Sequence, residues 1–289
     1  MLGTALKTLM RSEGIVIAQL VRREPSAPGE LRWYADTGLL KEAAALEGLS
    51  AVIHLSGANV AAKRWTPEYK KEISESRLGS TRALATMLAG LKNPPPVLLV
   101  ASATGIYGDR GDEVLTEDSA PGSGFLADVC QAWEASAHVA VAAGMRVVHL
   151  RFGVVLGRDA GALGKMAPLF RMGLGGRLGH GKQWTSWIGI DDAVAAMRFL
   201  LEARGVVGAV NLTSPNPVTN AEFTRALGRA LHRPAIIPAP AFALRLAMGQ
   251  MADEALLASA RVMPKRLLEA GFRFAQPTVE NALAAALRK

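Results

Sequence analysis

Arg22 and Arg23 stand directly after an apolar run, Ile15 to Val21, and the chemistry open to paired arginines there is recognition of an anion. In doubly wound α/β sheets, ligands sit at the carboxyl ends of the strands. An acid at this position would bond the ribose hydroxyls of NAD, whereas arginine accommodates the 2′-phosphate of NADP. A pair of solvated loop arginines is the plain alternative. The second run, Ala51 to Leu55, leads into Leu55-Ser56-Gly57-Ala58-Asn59. Its small residues either let backbone approach a ligand closely or make an ordinary tight turn. After the third run, Val97 to Ala101, come the hydroxyl side chains of Ser102, Thr104 and Tyr107, and after the fourth, Val147 to Leu150, comes Arg151.

The elements that must position these residues follow from the same pattern. Near-continuous apolar strands indicate burial on both faces, hence a parallel sheet covered by helices. The segments 67–91 and 126–143 read as helices between the runs, with Pro67 suited to a first helical position. This strand–helix alternation predicts an α/β fold, a Rossmann-type doubly wound parallel sheet. Asp191 is expected to cap a helix reaching about Ala203, and Thr219-Asn220-Ala221-Glu222 forms a capping box. The expected organisation is a nucleotide-binding lobe over residues 1–155. A smaller C-terminal lobe over 156–289 shares sheet elements with it.

Composition narrows the function classes. The 289 residues are 50% hydrophobic and 20% charged, ordinary for a globular protein. A single cysteine, Cys130, excludes a disulfide framework and a cysteine-based zinc site, and suits a reducing cytoplasm. The five histidines lack metal-ligand spacing, so no metal is expected. No apolar run approaches the ~20 residues of a membrane span. The formal net charge is +8, but the basic residues are dispersed along the chain. That dispersal argues for a solvated surface or an anionic small molecule, and against a nucleic-acid or membrane partner.

Several ordered blocks together carry a resemblance: VIHLSG, GANVAAKRWTPEYKKEISESR, VASATGIYGDRGDEVLTEDS, LRFGVVLG, FRMGLGGRLGHGKQWTSWI and NPVTNAEFTRALGRALHRPA. The chain resembles the extended short-chain dehydrogenase/reductase superfamily, and within it the atypical epimerase-like branch with an extra C-terminal helical region. The resemblance implies NADP(H) as cofactor and a small-molecule substrate held between the lobes. It implies that Arg22, Arg23, Leu55, Ser56, Gly57, Glu72, Arg77 and Val155 contact the cofactor. Gly3 corresponds to the last glycine of a G-x-x-G-x-x-G phosphate turn. The strand and first two glycines of that turn have no counterpart here, and a chain extended upstream through them is expected to bind NADPH better.

The superfamily's Tyr-x-x-x-Lys pair falls on Leu126 and Cys130, neither of which can exchange a proton with substrate. Its usual Ser/Thr falls on Ala103. Ser102, Thr104 and Tyr107 are therefore the remaining catalytic candidates, expected to border the nicotinamide. Tyr107 would serve as proton donor if Arg151 or Lys182 lowered its pKa. The expected function is an NADP(H)-binding oxidoreductase or epimerase acting on a small metabolite, with an anionic one suiting the charge. The rival is a non-catalytic NADP-binding regulatory or interaction protein. A homodimer is compatible with the sequence but not specified by it.

Overall fold

In a computed structural model, which describes residues 1–34, 39–40, 43–158 and 161–288, strands and helices alternate. The first part runs α1 (Leu2–Ser12), β1 (Gln19–Val21), β2 (Glu30–Tyr34), β3 (Leu39–Leu40), β4 (Val52–His54), α2 (Pro67–Ala89) and β5 (Val97–Ala103). Then come β6 (Val114–Leu115), α3 (Phe125–Ala135), α4 (His138–Ala142), β7 (Arg146–Phe152), β8 (Val154–Leu156) and α5 (Gly161–Arg171). Next are β9 (Trp184–Thr185), β10 (Trp187–Gly189), α6 (Ile190–Glu202), β11 (Gly208–Leu212), β12 (Val218–Thr219) and α7 (Asn220–Ala230). The chain closes with α8 (Ala241–Met248), β13 (Arg261–Val262), α9 (Lys265–Glu269) and α10 (Val279–Leu287).

The central sheet is parallel, in the order β11-β7-β5-β4. In β5 every residue from Val97 to Ser102 is buried, as expected of a strand covered on both faces. Leu6 and Met10 of α1 and Val194, Met197 and Leu200 of α6 cover one face. Leu84 and Leu88 of α2, Trp133 of α3 and Ala140 of α4 cover the other. A fully buried Leu or Met among these, such as Leu88, Met197 or Leu200, contributes about 1.5–3 kcal/mol. A second sheet, β1-β2-β3, pairs β1 parallel to β2 and β2 antiparallel to β3. Among the described residues β1 and β4 share no pairing. The two sheets meet through side chains, with Leu20, Leu31 and Trp33 packed in one cluster with Leu98 and Val100.

Some expected boundaries move. The run from Ile15 is strand only from Gln19, and Val16 is 96% exposed. The helix expected over 126–143 is broken after Ala135 into α3 and α4. Asp191 does not cap α6, whose N-cap is Gly189. The neighbouring Asp192 instead accepts the backbone amides of Ala275 and Gln276 at 2.8 and 2.9 Å, tying the C-terminal segment to α6. Thr219 and Glu222 do form the capping box, and Thr66 caps α2 with Pro67 following. A separate apolar cluster, with Leu156, Phe170, Trp187, Phe223 and Leu283, builds the core of the C-terminal part.

Candidate functional site

The parallel strands β4, β5 and β7 bring the candidates that follow or end them to one end of the central sheet, while Arg22 and Arg23 follow β1 in the second sheet. The Met1 side chain lies against Gly157, where a Cβ would come within 2.7 Å of its Sδ. That contact sets the start of α1, with Gly3, beside the end of β8, where Val155 stands half-buried. Gly3 itself faces open space, so its lack of a side chain leaves the helix start accessible.

The two arginines after β1 are not equivalent. Arg23 forms a two-pronged pair with Glu30 at 2.8 and 2.5 Å, and this pairing holds the Glu30 carboxyl down at about 2. The same carboxylate accepts the Ser26 amide, so Arg23 braces the β1–β2 connection. Arg22 is exposed, with no hydrogen bond or ion pair among the described residues.

After β4, Ser56 and Gly57 are exposed at the surface of the turn, while Leu55 packs between the two faces of the sheet core. Beneath the turn lies Arg77 of α2. Its guanidinium donates to the carbonyls of Ile73 and Ala58 at 3.0 and 2.9 Å, and stacks on Trp133 with 5.1 Å to the ring centroid. A Cβ at Gly57 would lie 3.2 Å from that guanidinium, so the turn runs close over the arginine. Burial lowers the Arg77 pKa, and among the described residues no carboxylate pairs with it. Glu72, five residues earlier, is half-exposed and turned toward Lys63 at 3.4 Å, away from Arg77.

Ser102 and Tyr107 are buried, and one polar network holds both. Ser102 Oγ donates to Glu134 Oε1 at 2.7 Å. Arg151 grips the same carboxylate through Nε and Nη2 at 2.8 and 2.9 Å, and donates through Nη1 to the Tyr107 hydroxyl at 2.9 Å. Tyr107 in turn donates to Asn211 Oδ1 at 2.8 Å. Burial alone would raise the Glu134 pKa and lower that of Arg151, but their mutual bonds win: the carboxyl is lowered and the guanidinium raised. Tyr107 goes the other way. Burial raises its pKa despite Arg151, so the cation that would have activated it is committed to Glu134. Its hydroxyl already both donates and accepts. Thr104 is half-buried, in the turn that follows β5.

Strand alternation explains the split. Ser102 pairs in register with Arg151, and both point under α3, whereas Ala103 points the opposite way. Glu134, Asn211 and Glu117, whose Oε1 accepts the Asn211 backbone amide at 2.9 Å, were not among the sequence candidates. Only the alternation of buried strand positions with a charged residue, Arg151, signalled that a buried acid must lie nearby. Cys130 is a buried thiol whose pKa burial pushes up to about 12, which makes it a core residue and not a nucleophile. Leu126 packs against Gly105, at 3.4 Å from where a Cβ would be. Glu254 accepts the amides of Phe125 and Leu126 at 3.1 and 2.8 Å, capping α3 from the C-terminal region. Among the described residues no cluster of His, Cys, Asp or Glu could hold a metal.

A covered parallel sheet, an exposed small-residue turn after β4 and an unpaired arginine, Arg22, after β1 define a Rossmann-like α/β protein of the nucleotide-binding type. The chain belongs to the NAD dependent epimerase/dehydratase family, whose model matches residues 1–212, and residues 239–286 match a domain of unknown function, DUF1731. It is 41% identical over 285 residues to an epimerase family protein of Mycobacterium leprae, covering 98% of this chain and 91% of that one. The human epimerase family protein SDR39U1 is 35% identical over 285 residues, covering 98% and 94%. A crystal structure of human SDR39U1 (isoform 2) with NADPH superposes with a TM-score of 0.90 at 33% identity, covering 99% of this chain and 95% of that chain. A nucleoside-diphosphate sugar epimerase of Corynebacterium glutamicum gives 0.81 at 34% identity, covering 99% and 56%. No helix among the described residues is long and apolar enough to cross a membrane.

Proposed function

We propose that this chain is an NADP(H)-dependent oxidoreductase or epimerase acting on a small metabolite, anionic by preference, in the cytoplasm. The observation that carries the cofactor assignment is Arg77: a half-buried guanidinium without a carboxylate, lying under the exposed Ser56–Gly57 turn. A partly desolvated cation of this kind is stabilised by a bound anion, and a dinucleotide phosphate supplies one. Arg22, exposed and unpaired at the end of β1, would take the 2′-phosphate. Gly3 and Val155 would border the cofactor from the other side, and Glu72 would bond a ribose once turned from Lys63. The NADPH in the human SDR39U1 structure supports the same assignment. Bound there, the cofactor supplies hydride transfer, and the chain orients it and excludes water.

For the proton, Thr104 is the candidate whose side chain is not locked in the buried network, while Ser102 and Tyr107 hold Arg151 and Glu134 rigid beneath it. The rival reading, a non-catalytic NADP-binding regulator, draws support from Leu126 and Cys130 at the tyrosine and lysine positions and from the saturated Tyr107 hydroxyl. Stereospecific loss of label from 4-deuterated NADPH on incubation with a metabolite extract tests the choice. Exchange with one face of the nicotinamide, reduced by Thr104→Val, is expected. Tight NADPH binding with no exchange in any fraction would leave the regulator reading standing.

A further inference from the structure

Basic residues that are dispersed along the chain converge on one face of the C-terminal part. Arg225 and Arg229 sit on successive turns of α7, and the chain then bends at His232, which takes a positive φ of 53°. Arg233 follows, donating to the Arg171 carbonyl at the end of α5 at 3.1 Å. A cavity of about 610 Å³ opens between Arg225, Arg229, His232, Arg233 and Ile236. Arg229 pairs with Glu280 at 2.9 Å, but among the described residues Arg171, Arg225 and Arg233 have no carboxylate within salt-bridge distance. Glu222, one turn before Arg225, and Glu280 offset part of this charge, and the face keeps a net excess of cations.

Exposed aliphatic side chains accompany these arginines, Ile236 lining the cavity and Met172 and Leu174 following Arg171. Ile236 is 78% exposed, and Met172 and Leu174, after Arg171, are 63% and 53% exposed. The backbone holds them there. Ile237 donates its amide to the Gly175 carbonyl at 3.0 Å and Ala239 donates to that of Arg177 at 2.9 Å, so Ile236 cannot fold back into the core. A Cβ on Gly176 would collide with the Ile237 backbone at 1.8 Å, which shows how closely the two segments are joined.

We infer that this face is a docking surface for an anionic phospholipid bilayer, with the arginines contacting headgroup phosphates and Ile236, Met172 and Leu174 entering the interface. Charge complementarity selects this occupant. A second copy docked through the same face would oppose one set of unpaired arginines to another. Protruding aliphatics flanked by cations suit a deformable apolar interface beneath phosphates, in contrast to a groove that would receive a helix. The contact is peripheral, since no described helix can span a bilayer. Dispersal of the charges along the chain argues against a membrane partner, but the fold gathers several of them.

Cosedimentation of the full chain with vesicles is the test, using equal parts phosphatidylglycerol and phosphatidylcholine against phosphatidylcholine alone. Binding is expected only to the anionic vesicles, and is expected to be lost on raising salt from about 0.1 M to about 0.5 M. Each basic residue near an anionic surface is worth about fivefold in affinity, so Arg171→Glu with Arg225→Glu should weaken binding by about 25-fold or more. Arg11→Glu with Arg82→Glu, the same charge change on the nucleotide-binding lobe, should change it by less than about threefold at that salt. Ile236→Ser, uncharged, should cost severalfold. Near-UV circular dichroism confirms that each variant is folded. Equal binding to both vesicle types, no binding to either, or equal losses from the two charge-reversed pairs would overturn the proposal. So would retention on poly-glutamate beads without vesicle binding, which would assign the face to an acidic polypeptide.

Discussion

Replacing Glu134 by Gln tests whether the buried Arg151 network holds the carboxyl end of the sheet. Arg151 is 8% exposed and directs Nε and Nη2 at the Glu134 carboxylate at 2.8 and 2.9 Å. An amide offers one acceptor where two existed, and leaves a largely desolvated cation without a countercharge. Breaking a buried pair from one side costs about 3–5 kcal/mol. At about 2 °C per kcal/mol for a chain of this size, the melting temperature should fall by about 6–10 °C. Arg151→Met combined with Glu134→Leu removes both charges and leaves chiefly Ser102 Oγ unpaired, about 1–3 kcal/mol. The double variant should therefore lose at least about 2 kcal/mol less than the sum of Arg151→Met and Glu134→Leu measured singly. The pH dependence has a definite sign. Burial works to raise the Glu134 pKa, but Arg151 holds it below its ordinary value of 4.5. The pair's contribution is therefore complete above that value and is lost as pH falls through the lower folded pKa. The deficit of Glu134→Gln should narrow in acid. Urea melts at neutral pH and at decreasing pH measure it, and a Gln variant within about 1 kcal/mol of the parent at neutral pH would refute the reasoning.

Arg22→Ala should lower the NADPH-to-NADH affinity ratio by about tenfold to hundredfold, from the ~1.5–3 kcal/mol of a charge-assisted phosphate contact. Arg23→Ala should change it much less, because Glu30 already occupies that guanidinium. Titration calorimetry compares them, and equal effects would show that Arg23 leaves Glu30 for the cofactor. Cys130 should resist a thiol reagent at mildly alkaline pH in the folded protein and react at once in urea, since its pKa stands at about 12. Rapid labelling of the native chain would place the thiol outside the core.

The apolar runs were enough to specify a covered parallel sheet, because runs such as Val97 to Ala101 have no polar face that water could claim. The capping box at Thr219, the Ser56–Gly57 turn and the arginines after β1 were equally legible, since each is a local pattern whose meaning depends on a few neighbouring residues. What lay beyond the sequence depends on distances between remote residues. The sequence could not say that Arg23 belongs to Glu30 and Arg22 to solvent, nor that Glu134 would claim Arg151 and so leave Tyr107 with a raised pKa. The Glu254 carboxylate at the start of α3 and the gathering of Arg171, Arg225 and Arg233 on one face join residues 129 and about 60 positions apart. Periodicity records which side of an element is buried. Which charge meets which is decided only when the elements pack, because electrostatic pairing and burial depend on separation in space and not along the chain.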